Sequence, residues 1–184
     1  AGHQPMLSAS GRYVMVFNGE VYNHQALRGE LGGRAWRGHS DTETLLAGFE
    51  AWGIRKTIER TVGMFAFAAW DRQARSMTLG RDRLGEKPLY YGWQGSGANA
   101  VFLFGSELKA LRVHPAFSAS VCRDSLALYM RHGNVPGSYS IYEGIHKLTP
   151  GTLMTLSLEV REPAFETYWS GIDVVKACNS VIET

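Results

Sequence analysis

Asn18, Gly19, Glu20 and Asp41 are the residues whose types and order could do chemistry in this 184-residue chain. Asn18-Gly19 comes after a strongly apolar stretch, so a side-chain amide and a backbone N–H would point the same way from a strand end. Two such donors are what a tetrahedral oxyanion needs, and loss of one raises a barrier by about 3–4 kcal/mol. Asn-Gly is also the favoured pair for a tight hairpin turn, and spacing alone favours the turn, although the residues after Glu20 read as a helix rather than a return strand. Glu20 and Asp41 are carboxylates suited to a substrate ammonium. Ser40-x-x-Glu43 reads as well as a capping box, with Asp41 favoured by the helix dipole. Spacing alone favours the cap, and the two roles are compatible because a helix N-terminus is a rigid mount.

Other chemistries find little support. Leu84-Gly85-Glu86-Lys87-Pro88 lacks the G-x-x-x-x-G-K-[ST] spacing of a phosphate loop. The six histidines show no ligand-type pairing, which argues against a metal site. Cys122 and Cys178 have no C-x-x-C spacing, and two cysteines so far apart read as reduced, cytosolic thiols. A formal charge of +2 with no run of like charges gives no footprint for nucleic acid. The longest apolar run, Met64 to Trp70, is too short to span a bilayer. Hydrophobic residues at 45% and charged residues at 20% suit one soluble globular domain.

The elements that must position these residues are set by periodicity. Arg12 to Phe17 is a strand with Tyr13, Met15 and Phe17 on one face and Val14 and Val16 on the other. Both faces are apolar, which predicts cover on both sides. Asn23 is a candidate N-cap for a helix carrying Leu27 and Leu31, ended by Gly32-Gly33. Ser40 opens a second helix with Leu45, Leu46, Phe49 and Trp52 as one stripe. A third short helix spans Ile54 to Thr61. Strands are expected over Met64 to Asp71, Met77 to Asp82, Leu89 to Trp93, Val101 to Phe104, Thr152 to Leu158 and Val160 to Phe165. Helical turns fall at Glu107 to Leu111 and Arg123 to Arg131. Beyond Trp169 periodicity fades. One strand, two helices and then many antiparallel strands predict an α+β chain built as a four-layer αββα sandwich.

In this order the chain resembles the glutaminase half of glutamine-hydrolysing asparagine synthetases. The resemblance is carried by Gly2-His3-Gln4-Pro5-Met6, by Phe17-Asn18-Gly19-Glu20-Val21-Tyr22-Asn23-His24 and by Ser40-Asp41-Thr42-Glu43. It continues through Gly63 to Ala68, Arg81 to Tyr91, Gly105 to Leu111 and Lys147 to Gly151, and so runs from about Gly2 to Trp169. It implies an N-terminal-nucleophile hydrolase fold, which agrees with the layered reading. It also reverses the preference for a turn at Asn18 and a mere cap at Asp41. By this resemblance a Cys at the mature N-terminus attacks the glutamine side-chain amide, with its own α-amine as base. Asn18 and Gly19 would hold the oxyanion, and Glu20 and Asp41 the glutamine α-amino end. Ammonia would pass to a separate synthetase domain that uses ATP and magnesium to amidate aspartate.

Two departures qualify these expectations. The sequence opens at Ala1, where the family pattern would already have supplied its Cys and a carboxylate-binding Arg. The synthetase domain expected after Trp169 is also absent. The resemblance then implies residues 1–169 as the amidotransferase domain, incomplete at its N-terminus, and 170–184 as a linker or the start of that domain. Such a fragment would be cytoplasmic and inactive alone, and a homodimer could cover the gap left by a missing inner strand. Two alternatives remain at this level: an amidotransferase feeding another acceptor, such as a polysaccharide precursor, and a non-catalytic scaffold of the same fold. The first keeps the site and changes only the ammonia user; the second would bind no glutamine.

Overall fold

The computed structural model describes residues 3–182. The chain forms two compact units, one up to Glu86 and again from Pro150 onward, the other Lys87–Thr149. The first unit opens with strands β1 (Met6–Leu7) and β2 (Tyr13–Val21). Helices α1 (His24–Leu31), α2 (Asp41–Trp52) and α3 (Ile54–Arg60) come next, then strands β3 (Gly63–Asp71) and β4 (Ser76–Arg81). The second unit holds β5 (Tyr90–Gln94), β6 (Val101–Gly105), α4 (Leu108–Arg112), α5 (Arg123–His132) and β7 (His146–Lys147). The chain then returns to the first unit as β8 (Thr152–Ser157), β9 (Ala164–Thr167) and α6 (Gly171–Ile182). Every strand pair is antiparallel, in a six-stranded sheet β1-β2-β3-β4-β8-β9 and a three-stranded sheet β6-β5-β7.

The core of the first unit sits between the centre of its sheet and α2. Tyr13, Met15 and Phe17 from β2 and Phe65 and Phe67 from β3 turn the same way and are buried with Leu45, Leu46 and Phe49 of α2. The expected helical stripe is therefore the buried one. Phe49 lies edge-on to Tyr13, with ring centroids 5.9 Å apart, and 5.6 Å from Phe67. Such aromatic pairs contribute about 0.5–1.5 kcal/mol each beyond the area they bury.

Several expectations need correction. The strand does not stop at Phe17: β2 pairs with β3 without a break from Tyr13↔Asp71 to Val21↔Gly63. Its second face is only partly covered, with Val14 half-buried and Val16 37% exposed. The neighbouring strand β1 is two residues long and pairs only with Met15 and Val14, so Val16 has no ladder partner there. Asn23 stands at the N-cap of α1 but makes no cap bond. Its side chain instead donates to Arg60 O (2.9 Å) and accepts from Val62 N–H (2.9 Å), joining the start of α1 to the end of α3. The last strand lies at Ala164–Thr167 rather than Val160 to Phe165, and all four of its residues are exposed. Residues 171–182 are helical where periodicity predicted no element. Ile172, Val174 and Val175 there are exposed.

Candidate functional site

Two glycines allow β2 and β3 to meet closely at the predicted corner. A Cβ on Gly19 would lie 2.2 Å from Met64 O and 2.6 Å from the Phe65 Cα, and Gly19 has φ +157°. A Cβ on Gly63 would lie 2.2 Å from Glu20 O. Gly19 is thus required by strand packing, whatever its chemistry. The hairpin reading of Asn18-Gly19 falls, because both residues lie inside the ladder, opposite Ala66 and Phe65. The nine-residue pairing with β3 outweighs the local turn preference.

Strand alternation decides which way the backbone of the corner points. Phe17 turns its N–H and C=O toward the β1 side, where the Gln4 side-chain amide takes both: Phe17 N–H donates to Oε1 (2.7 Å) and Nε2 donates to Phe17 O (2.8 Å). Two residues per repeat put Gly19 and Val21 on the same edge. Val21 N–H donates to Asp41 Oδ2 at 2.9 Å. The Gly19 backbone therefore lies between two edge positions held by side chains, and the sheet edge at Phe17 and Val21 is closed without a neighbouring strand. Asn18 and Glu20 alternate with it and have exposed side chains.

Asp41 reaches that edge from the first turn of α2. Its Oδ1 accepts from Thr42 N–H (2.7 Å), and Ser40 Oγ accepts from the same N–H (3.1 Å), so Ser40 is the N-cap. An ionised carboxylate has about four acceptor sites, so two backbone bonds leave Asp41 with capacity for an ammonium. The expected capping box is only half formed. Glu43 does not reach back to Ser40; it accepts from Arg37 N–H (2.8 Å) and Gly38 N–H (3.0 Å) in the preceding loop.

Sequence reasoning missed the residues that hold this loop. Arg28, on α1, donates to Gly38 O (2.9 Å), Ser40 O (2.9 Å) and Thr44 Oγ1 (2.8 Å). Its guanidinium lies over the Trp36 ring, 4.1 Å from the centroid. Gln4 stands in the Gly2–Met6 stretch of the resemblance, which gives it no role. No local motif signals Arg28, since a lone Arg on a helix is ordinary.

A cavity of about 370 Å³ adjoins the loop and is lined by His3, Met6, Arg37, Gly38, Ser40 and Glu43. The four predicted residues do not line it: Asn18, Gly19 and Glu20 stand on β2, and Asp41 on α2 touches the strand through Val21. The two thiols belong elsewhere. Cys122 precedes α5, with hydrogen bonds from Ser125 holding its pKa below the ordinary thiol range, and Cys178 is exposed on α6. Among the described residues no three His, Cys, Asp or Glu side chains converge as for a metal, and no helix is long and apolar enough to cross a membrane.

Fold and corner together define a class. The chain shares its α+β fold with glutamine phosphoribosylpyrophosphate amidotransferase of Bacillus subtilis, at a TM-score of 0.62 and 18% identity, over 91% of this chain and 32% of that one. The α+β fold expected from the sequence is thus the one observed, with every strand pair among the described residues antiparallel. Residues 1–169 match the glutamine amidotransferase domain family, and the chain belongs to that family. It is 40% identical over 165 residues to asparagine synthetase [glutamine-hydrolyzing] 3 of Bacillus subtilis, covering 85% of this chain and 25% of that protein. It is 42% identical over 112 residues to asparagine synthetase B [glutamine-hydrolyzing] of Escherichia coli, covering 60% and 20%. The chain spans about a quarter or less of the length of these curated relatives. It is a glutamine amidotransferase domain similar to part of these glutamine-hydrolysing synthetases.

Proposed function

We propose that this chain is the glutamine-binding part of a glutamine-hydrolysing asparagine synthetase. The observation that carries the reading is the edge of β2, where the Gly19 backbone lies beside an Asp41 carboxylate already tied to Val21 N–H. Asp41 and Glu20 bind the glutamine α-ammonium. The Asn18 amide and the Gly19 N–H donate to the side-chain carbonyl oxygen.

In the reaction a thiolate attacks the side-chain carbon and the carbonyl electrons move onto oxygen. The oxyanion collapses as the protonated nitrogen leaves as ammonia. Water then cleaves the thioester to glutamate and regenerates the thiol. The two donors are worth most when the charge is on oxygen. Neither Cys122 nor Cys178 stands on β2 or α2, so this reading takes the attacking thiol from outside the 184 residues. Ammonia amidates aspartate in the remainder of such an enzyme, where ATP and magnesium act, in the cytoplasm.

A calorimetric titration of the chain with glutamine tests this. Binding is expected without ammonia release, and Asp41→Ala should weaken it about tenfold or more, the loss of one charge-assisted hydrogen bond. Asn18→Ala should change it less, because its donor acts mainly on the oxyanion. No heat with glutamine, or ammonia released above background, would contradict the reading.

A further inference from the structure

Arg28 and Glu43 are two charges that the fold has buried next to the candidate site without using them there. Their side chains are 10% and 12% exposed and approach to 3.6 Å. A buried ion pair is normally no source of net stability, since desolvation offsets the attraction. This one is not even a close bidentate pair. Both partners direct their hydrogen bonds to the loop between α1 and α2: Arg28 to the carbonyls of Gly38 and Ser40, Glu43 to the N–H groups of Arg37 and Gly38. Gly38 is held through its N–H and its C=O at once. The third Arg28 bond, to Thr44, fixes the guanidinium against α2.

We infer that Arg28 and Glu43 are positioning residues for the glutamine site, fixing the Arg37–Ser40 backbone and through it the reach of Asp41 to the Val21 N–H. The link is short. Ser40 O is bonded to Arg28, Asp41 is the next residue, and its carboxylate closes on β2 two residues beyond Gly19. A loop free to shift here would carry Asp41 off the strand edge. The inference rests on reading this corner as a glutamine site, but the geometry it concerns can be measured without glutamine. A lysine cannot replace Arg28, because one ammonium on a flexible stem does not span three acceptors with fixed directions.

The test is hydrogen exchange of the Val21 amide in the 184-residue chain, read by NMR beside a glutamine titration. The variants are Glu43→Gln, Arg28→Lys and the double change Arg28→Met with Glu43→Met. In all three the Val21 amide should exchange about tenfold faster or more while amides of the β3–β4 ladder keep their protection. The glutamine Kd should rise about tenfold or more. The double variant separates positioning from folding. An apolar pair of similar volume should keep the melting temperature within about 4 °C, yet leave Val21 unprotected and binding weak. Unchanged Val21 protection in Glu43→Gln, or protection and binding both restored in the double variant, overturns the inference. A wild-type chain that takes up no glutamine refutes the proposed function instead, and Val21 exchange alone then decides the positioning role.

Discussion

Gly19 shows at the scale of one residue how packing and chemistry can ask for the same side chain. Its missing Cβ would sit 2.2 Å from the Met64 carbonyl oxygen, a backbone atom that cannot swing aside. Gly19→Ala is expected to destabilise the chain by about 3 kcal/mol, from overpacking and an unfavourable φ together. A denaturant midpoint unchanged by the substitution would show that the strands can part without cost. Asp71, paired with Arg12, is one source of acid sensitivity in the same sheet. Arg12 hydrogen bonds hold its carboxyl below the usual range, against opposing desolvation, helped by the N–H groups of Ala74 and Gln73. A folded pKa below the unfolded value, about 3.9, gives stability that is complete above that value and is lost as pH falls through the folded pKa. Stability measured from pH 6 downward should therefore fall below about pH 4. Arg12→Ala should flatten that slope, and an identical slope in the variant would assign the acid sensitivity elsewhere.

Among the elements, β2 and α2 form the frame and the loop between α1 and α2 tunes it. Phe49 is 1% exposed and faces both Tyr13 and Phe67. Phe49→Ala should cost about 3–5 kcal/mol, and a loss under about 1 kcal/mol would mean the core closes over the gap. The frame was legible in sequence because its signals are periodic. Tyr13, Met15 and Phe17 alternate, and Leu45, Leu46 and Phe49 recur at helical spacing. The fine geometry was not legible. Glu43 fits a capping box in sequence but bonds the loop before it, a choice made by where Arg37 and Gly38 lie in space. Gln4 completes the strand edge by long-range bonds to Phe17, and Arg28 bonds residues ten and more positions away. Strand β9 was misplaced because its four residues are all exposed and give no alternation of buried and exposed side chains to fix its bounds. The site residues were reached through the resemblance, since spacing alone preferred a turn and a cap.

At the scale of the whole molecule, one chain carries two compact units, and every element of the candidate site belongs to the first. Its sheet closes the edge of β2 with Gln4 and Asp41 where a longer β1 would otherwise be needed. Residues 1–169 belong to the glutamine amidotransferase domain family, while the curated relatives extend well beyond the length of this chain. The proposed function stands or falls on whether glutamine seats at the β2 edge. The direct measurement is an amide chemical-shift map of the 184-residue chain titrated with glutamine. Saturable shifts are expected, centred on Gly19, Val21 and the first turn of α2 and abolished by Asp41→Ala. Shifts confined to residues outside β2 and α2, or no shifts at saturating glutamine, would contradict the glutamine site.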